Sequence, residues 1–128
     1  SLGTRLQECK LAAEELNIKG VSTTIIDARF AKPLDQELIL KCAREHEVMI
    51  TIEEGSIGGF GSHVKNLLAE TGVFDKGLKF RSMTLPDTFI EQDDPKKMYE
   101  KAGLSSSQIS KKILDVLFTK DSIKVVKN

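Results

Sequence analysis

The segment with the most distinctive chemistry in this sequence is a glycine-rich turn, residues 53–62, which reads EEGSIGGFGS. It follows a short apolar run and precedes a helical pattern, so it joins a strand to a helix. Such a turn can expose several backbone amides at the positive end of a helix, which favours an anion. The candidate residues of an anion site or interface here are Glu54, Gly58, Gly59 and His63, with Arg29 contributed by another loop.

The glycine spacing matches neither standard phosphate-binding motif. The dinucleotide pattern is Gly-x-Gly-x-x-Gly, and Val64 stands where the third glycine would follow Gly59 and Gly61. The mononucleotide loop ends in Lys followed by Ser or Thr, and here Ser62 and His63 stand at that place. A phosphate site is therefore the less favoured interpretation of the turn.

Two neighbouring acidic residues, Glu53 and Glu54, argue further against phosphate because their carboxylates would repel it. Consecutive residues of a strand point to opposite faces, so these two are not expected to form one acid–base site. The favoured interpretation is that a glutamate carboxylate caps the exposed amides itself. The glycines would then serve to let the helix pack closely.

The other polar residues show no pattern typical of catalysis or metal binding. Arg29 leads a loop at the carboxyl end of a predicted strand, where open α/β sheets bind ligands, but a plain surface arginine is favoured. Cys9 and Cys42 each lie among apolar residues at helical spacing, which is typical of small buried hydrophobes. The histidines, His46 and His63, have no second ligand three or four residues away, so we expect no structural zinc site.

Length and composition predict one globular domain over residues 1–118, followed by a mobile lysine-bearing tail over 119–128. Nineteen basic and 19 acidic residues balance to a net charge of zero, which argues against nucleic-acid binding. The sequence contains no apolar run of membrane-spanning length and opens on no signal-peptide pattern. We therefore expect a cytoplasmic protein without a membrane partner.

Helical and strand patterns alternate along the chain. N-cap signals at Thr4, Asp35 and Ser105 predict three helix starts, and a further helix follows the glycine turn. Short runs rich in β-branched or apolar residues predict strands at 21–26, 48–52 and 80–85. This order is typical of a doubly wound α/β layer sandwich. Because a parallel sheet should place a strand before the helix that starts at Thr4, we expect the first strand or strands to be truncated.

Four sequence segments follow one another in this order: DARFAKPLD at 27–35, EEGSIGGFGSHV at 53–64, LPD at 85–87 and YEKAGL at 99–104. From Ser1 to about Leu117 the chain closely resembles the C-terminal domain of the 1-deoxy-D-xylulose-5-phosphate synthases, which are transketolase-like thiamine enzymes. The glycine turn alone would also fit the β-subunits of 2-oxoacid dehydrogenases. The segment at 27–35 and the residues of the glycine turn make the synthases the better match.

The resemblance implies a fold of the transketolase C-terminal type, a three-layer α/β/α sandwich with a mixed, mostly parallel sheet. In that fold a central strand separates residues 21–26 from residues 48–52. The resemblance also implies a homodimeric parent enzyme that condenses pyruvate with glyceraldehyde 3-phosphate, with loss of carbon dioxide, for isoprenoid and thiamine synthesis. Thiamine diphosphate and magnesium would be held by the parent's other domains, so we expect this chain to contain no catalytic, cofactor-binding or metal-binding residue.

Two functions of different classes are consistent with this sequence. The first is a structural and dimer-stabilising domain that partners the remaining domains of a thiamine-dependent transferase and is inactive alone. The second is a stand-alone module that binds small anions at the strand ends around Arg29 and Gly58.

Overall fold

The computed structural model describes residues 1, 5–28, 33–54, 59–84, 97, 100 and 103–118. Arg29, Gly58 and the predicted tail over 119–128 lie outside the described residues, so the predictions about them stay predictions.

Helices and strands alternate along the described chain, as the sequence predicts. Their order is α1 (Leu6–Ile18), α2 (Gln36–Glu45), β1 (Val48–Ile52), α3 (Phe60–Glu70), a 3₁₀ turn (Val73–Lys76), β2 (Lys79–Met83) and α4 (Ser106–Phe118). None of the helices within the described ranges combines the length and the hydropathy needed to cross a membrane.

The two strands form a parallel pair in which Val48 lies opposite Lys79 and Ile52 lies opposite Met83. Helices cover both faces of this pair. The first cluster of buried side chains belongs to α2, α3 and the 3₁₀ turn, and consists of Ile39, Ala43, Phe60, Val64, Leu68 and Val73. The second cluster lies on the opposite face, beside α1 and α4, and consists of Cys9, Ala12, Ile52, Leu104 and Ile109.

Side chains of β1 alternate between these two clusters, because successive residues of a strand point to opposite faces. Met49 packs against the first cluster and Ile50 against the second. Three layers result, with α2 and α3 on one side of the sheet and α1 and α4 on the other. This arrangement confirms the predicted α/β sandwich.

Two helix starts follow the predicted capping signals. The Asp35 side chain accepts a hydrogen bond from the Leu38 amide at 3.2 Å and caps α2. At the start of α4, the Gln108 side-chain oxygen accepts from the Ser105 amide at 3.1 Å and the Gln108 amide donates to the Ser105 hydroxyl at 3.4 Å, which completes the predicted capping box.

The predicted cap Thr4 lies outside the described residues, and α1 is described from Leu6. Its N-cap is Arg5, which makes no side-chain capping bond, and its first turn closes with the Cys9 amide donating to the Arg5 carbonyl at 3.0 Å. Arg5 is itself held by a carboxylate at the end of β1. This tertiary contact, which the local sequence does not encode, lies at the first turn of α1.

The strand predicted at 21–26 is absent, since residues 21–28 contain no assigned strand. Within the described ranges, β1 has β2 as its strand neighbour and does not pair with residues 21–28. The β-branched residues favour an extended backbone, but a strand also needs a neighbour that shares its hydrogen bonds. In the described ranges residues 21–26 do not pair directly with residues 48–52, which agrees with the central strand that the resembled fold places between them.

Candidate functional site

The Glu53 carboxylate lies at the start of α3 and accepts hydrogen bonds from backbone amides there. Glu53 directly follows β1, and its own amide extends the strand ladder by donating to the Met83 carbonyl at 3.0 Å. One carboxylate oxygen accepts from the Phe60 amide at 3.1 Å and the other from the Gly61 amide at 2.6 Å. The Glu53 side chain is almost fully buried there. The favoured interpretation, that a glutamate caps these amides, is confirmed.

The Glu53 carboxylate offsets the partial positive charge at the start of α3. The N-cap residue of α3 is Gly59, which has no side chain to cap the helix, and the first turn contains no acidic residue. The unbonded amides of a helix start carry a partial positive charge, which a nearby carboxylate stabilises. Glu53 supplies that charge from the neighbouring strand. An external phosphate would have to displace a buried carboxylate that already holds two amides.

Gly61 lets the start of α3 approach the sheet. A methyl group built on this residue would overlap the hydroxyl groups of Thr51 and Ser82. Those hydroxyls lie on adjacent strands and are joined to each other by a hydrogen bond of 3.1 Å. Because a side chain at this position would push α3 away, the Glu53 contact depends on a glycine here.

Glu54 points away from Glu53, as the alternation along a strand requires. Its carboxylate lies 3.3 Å from Nε of Arg5, at the start of α1. The Arg5 side chain is 8% exposed and the Glu54 side chain 35%. The two acidic neighbours therefore join the end of β1 to two helices on opposite faces of the sheet, and they do not form one acid–base site.

The predicted candidate residues consequently have different roles. Gly59 is the N-cap residue of α3, and its carbonyl accepts from the amides of Ser62 at 3.1 Å and His63 at 3.2 Å. His63 is half-buried in the first turn of that helix. Glu54 is part of an ion pair with Arg5, a residue that belongs to no motif of the sequence.

The part of the chain that the structure describes has neither clustered metal ligands nor an exposed cysteine. It contains no group of three or more His, Cys, Asp or Glu side chains that could hold a metal ion. Cys9 and Cys42 are free and buried. Burial raises the pKa of both thiols above the ordinary value of 9.0, which disfavours the reactive thiolate. The prediction that they are small buried hydrophobes is confirmed.

Comparison with known proteins agrees with this architecture. Residues 1–109 match the family model described as transketolase, C-terminal domain. A solved structure described as a split gene transketolase, inactive beta4 tetramer, superposes with a TM-score of 0.82 and 29% sequence identity. The match covers 94% of this chain and 38% of that longer chain. With its three layers, its parallel strands and a family match over most of its length, this chain belongs to the transketolase C-terminal domain family.

Proposed function

We propose that this chain is the C-terminal domain of a 1-deoxy-D-xylulose-5-phosphate synthase and that its role is structural and dimer-stabilising. The observation that carries the structural role is the buried Glu53 carboxylate, which accepts from the Phe60 and Gly61 amides at the start of α3. Glu53 then connects the end of β1 to the start of α3. Catalysis belongs to the other domains of the parent enzyme.

The residues of two sequence segments support this choice of parent enzyme. Two segments resemble the synthases more closely than the β-subunits of 2-oxoacid dehydrogenases. They are DARFAKPLD at 27–35 and EEGSIGGFGSHV at 53–64. Both groups of enzymes use thiamine diphosphate, so the shared fold does not distinguish between them. The distinction therefore requires an activity measurement.

The described residues do not fit thiamine diphosphate or magnesium. A diphosphate needs free amide donors or basic side chains, and the amides of Phe60 and Gly61 already donate to Glu53. Magnesium needs oxygen ligands such as clustered carboxylates, and the described ranges contain no such cluster. In the proposal the parent's other domains bind both groups, and this chain by itself has no transferase activity.

The proposed partners are those other domains and a second copy of the parent enzyme. The family match and the long solved relative support a domain that works within a larger assembly. A stand-alone module for small anions is the less supported alternative, since its ligand would compete with Glu53.

A domain exchange tests the proposed parent. The C-terminal domain of a well-behaved 1-deoxy-D-xylulose-5-phosphate synthase is replaced by this chain, and a second chimera places this chain in a 2-oxoacid dehydrogenase β-subunit. We expect the synthase chimera to form dimers and to turn over pyruvate and glyceraldehyde 3-phosphate with a nearly normal KM for pyruvate. Assembly and activity of the dehydrogenase chimera alone would contradict the proposal.

A further inference from the structure

The outward side of the helical layer formed by α1 and α4 carries exposed apolar side chains. Among the described residues, four large apolar side chains are exposed, and three of them lie on these two helices. They are Leu11 at 38%, Ile18 at 86% and Phe118 at 68%. Leu114, which also belongs to α4, is partly exposed. Apolar side chains gathered on one exposed surface are typical of protein–protein contacts.

Two carboxylates of α1 show how α4 lies beside it. The Ser106 amide donates to the Glu8 carboxylate at 2.8 Å, and the Ser110 hydroxyl donates to the Glu15 carboxylate at 2.6 Å. Because these contacts follow one another in the same order along both helices, α1 and α4 run side by side in the same direction. Glu15 and Ser110 therefore lie at about the same height along the layer.

Helical geometry determines which side chains of α1 face outwards. Cys9 and Ala12 pack in the second cluster, on the side of the sheet. Successive residues of an α-helix are rotated by about 100° around its axis. Leu11, Glu14 and Ile18 consequently lie on the side of α1 that faces away from the sheet, and all three are exposed.

The same rotation applies to α4. Ile109 packs in the second cluster, so Lys111 and Leu114 lie on the outward side of this helix. Lys111 follows Ser110 and Glu14 precedes Glu15, which places the lysine and the glutamate at about the same height on neighbouring helices. Within the described ranges, neither of these two exposed residues is part of an ion pair.

A two-fold axis parallel to the helices makes this surface complementary to a second copy of itself. Rotation about such an axis places α1 of one copy over α4 of the other and leaves the height of each residue unchanged. Glu14 then faces the partner's Lys111. Ile18 lies four residues after Glu14, and Leu114 lies three residues after Lys111. These offsets correspond to about 6 and 4.5 Å, so Ile18 meets the partner's Leu114 at nearly the same height.

We propose that the outward side of α1 and α4 is an interface with a second copy of this chain. We call it the outer seam, and its residues are Leu11, Glu14, Ile18, Lys111 and Leu114. The inference rests on the proposed dimer-stabilising role and names the surface that performs it. A second copy fits because the seam supplies both members of each ion pair and of each apolar contact. The apolar contacts provide most of the affinity, since exposed ion pairs contribute little, and the charges fix the orientation.

Charge reversal and its rescue test the outer seam directly. Glu14→Lys places two positive charges in each contact, and Lys111→Glu places two negative charges there. Each variant alone should raise the dissociation constant of the dimer by about tenfold or more, measured by sedimentation equilibrium of the full 128-residue chain. An equal mixture of the two variants should dimerise like the unchanged chain, because each contact of the mixed dimer again joins opposite charges. Both residues are exposed, so neither substitution should affect folding.

An apolar substitution on each helical layer supplies a matched control. Ile18→Ser in the outer seam should raise the dissociation constant by about fivefold or more. Leu38→Ser removes an exposed apolar side chain from α2, on the other side of the sheet, and should leave the constant unchanged.

Three results would overturn the proposal. They are a monomeric chain up to about 1 mM, a mixture of the charge variants that stays monomeric, and equal effects of Ile18→Ser and Leu38→Ser. A monomeric chain whose outer seam is needed for assembly of the synthase chimera would assign this surface to the parent's other domains. A chain that dimerises as expected but gives an inactive synthase chimera would support the interface and contradict only the proposed parent.

Discussion

The two acidic side chains at the end of β1 have different surroundings. The Glu53 carboxylate accepts from two amides of α3, whereas Glu54 pairs with the Arg5 guanidinium on the opposite face of the sheet. Glu53 is 3% exposed, and the Glu54 side chain is 35% exposed. The first carboxylate is therefore buried against backbone amides, and the second remains partly in contact with solvent. The difference teaches that a glycine-rich turn is a binding site only if its amides remain available.

The largest expected effect comes from removing the buried cap. Glu53→Ala should lower the free energy of unfolding by about 2–4 kcal/mol, because two buried amides lose their acceptor. Urea denaturation followed by circular dichroism measures this change. The matched control is Glu47→Ala, which removes an exposed carboxylate 3.9 Å from Lys79 and should cost less than about 0.5 kcal/mol. Equal effects of the two substitutions would contradict the role of Glu53 as a cap.

A somewhat smaller effect is expected where α3 approaches the sheet. Gly61→Ala should destabilise the fold by about 1–3 kcal/mol, since the added methyl overlaps the Thr51 and Ser82 hydroxyls. Asn66→Ala, on the exposed side of the same helix, is the control and should change stability little. A neutral Gly61→Ala variant would show that α3 is not held close to the strands.

The ion pair on the opposite face should contribute less. Glu54→Gln should cost about 1–2 kcal/mol, because Arg5 is buried while Glu54 is partly exposed to solvent, which screens the pair. A double-mutant cycle with Arg5→Met isolates the coupling energy. Additive effects of the two substitutions would mean that the pair contributes nothing to stability.

The smallest effect concerns the two thiols. Both have a folded-state pKa raised above 9.0, so their contribution to stability is complete below pH 9 and is lost as the pH rises above it. A thiol reagent at pH 8 should label Cys9 and Cys42 slowly in the folded chain and rapidly in denaturant. Fast labelling of the folded chain at both sites would contradict their burial.

Local signals predicted the parts of the fold that local contacts determine. The caps of α2 and α4 and the apolar run of β1 appear where the sequence places them. The strand predicted at 21–26 is not formed, because pairing depends on a neighbour that composition does not reveal. The contact between Arg5 and Glu54 at the start of α1 is likewise not encoded in the local sequence.

The sequence predicted only part of the candidate site, because the rest depends on tertiary contacts. Alternation along β1 separates Glu53 from Glu54, but the sequence alone does not say which of them faces α3. Their roles depend on which helix covers which face of the sheet. Arg5 gives no signal in the sequence, since its burial follows from packing against the end of β1.

The central claim is that Glu53 holds the Phe60 and Gly61 amides, so that these two amides do not bind a ligand. Its most direct test is a nuclear magnetic resonance titration of the isotope-labelled chain with thiamine diphosphate and magnesium, in which the Phe60 and Gly61 amide resonances are followed. Both resonances should stay unchanged up to millimolar ligand, because Glu53 holds the amides. A saturable shift of these two resonances at micromolar ligand would contradict the account.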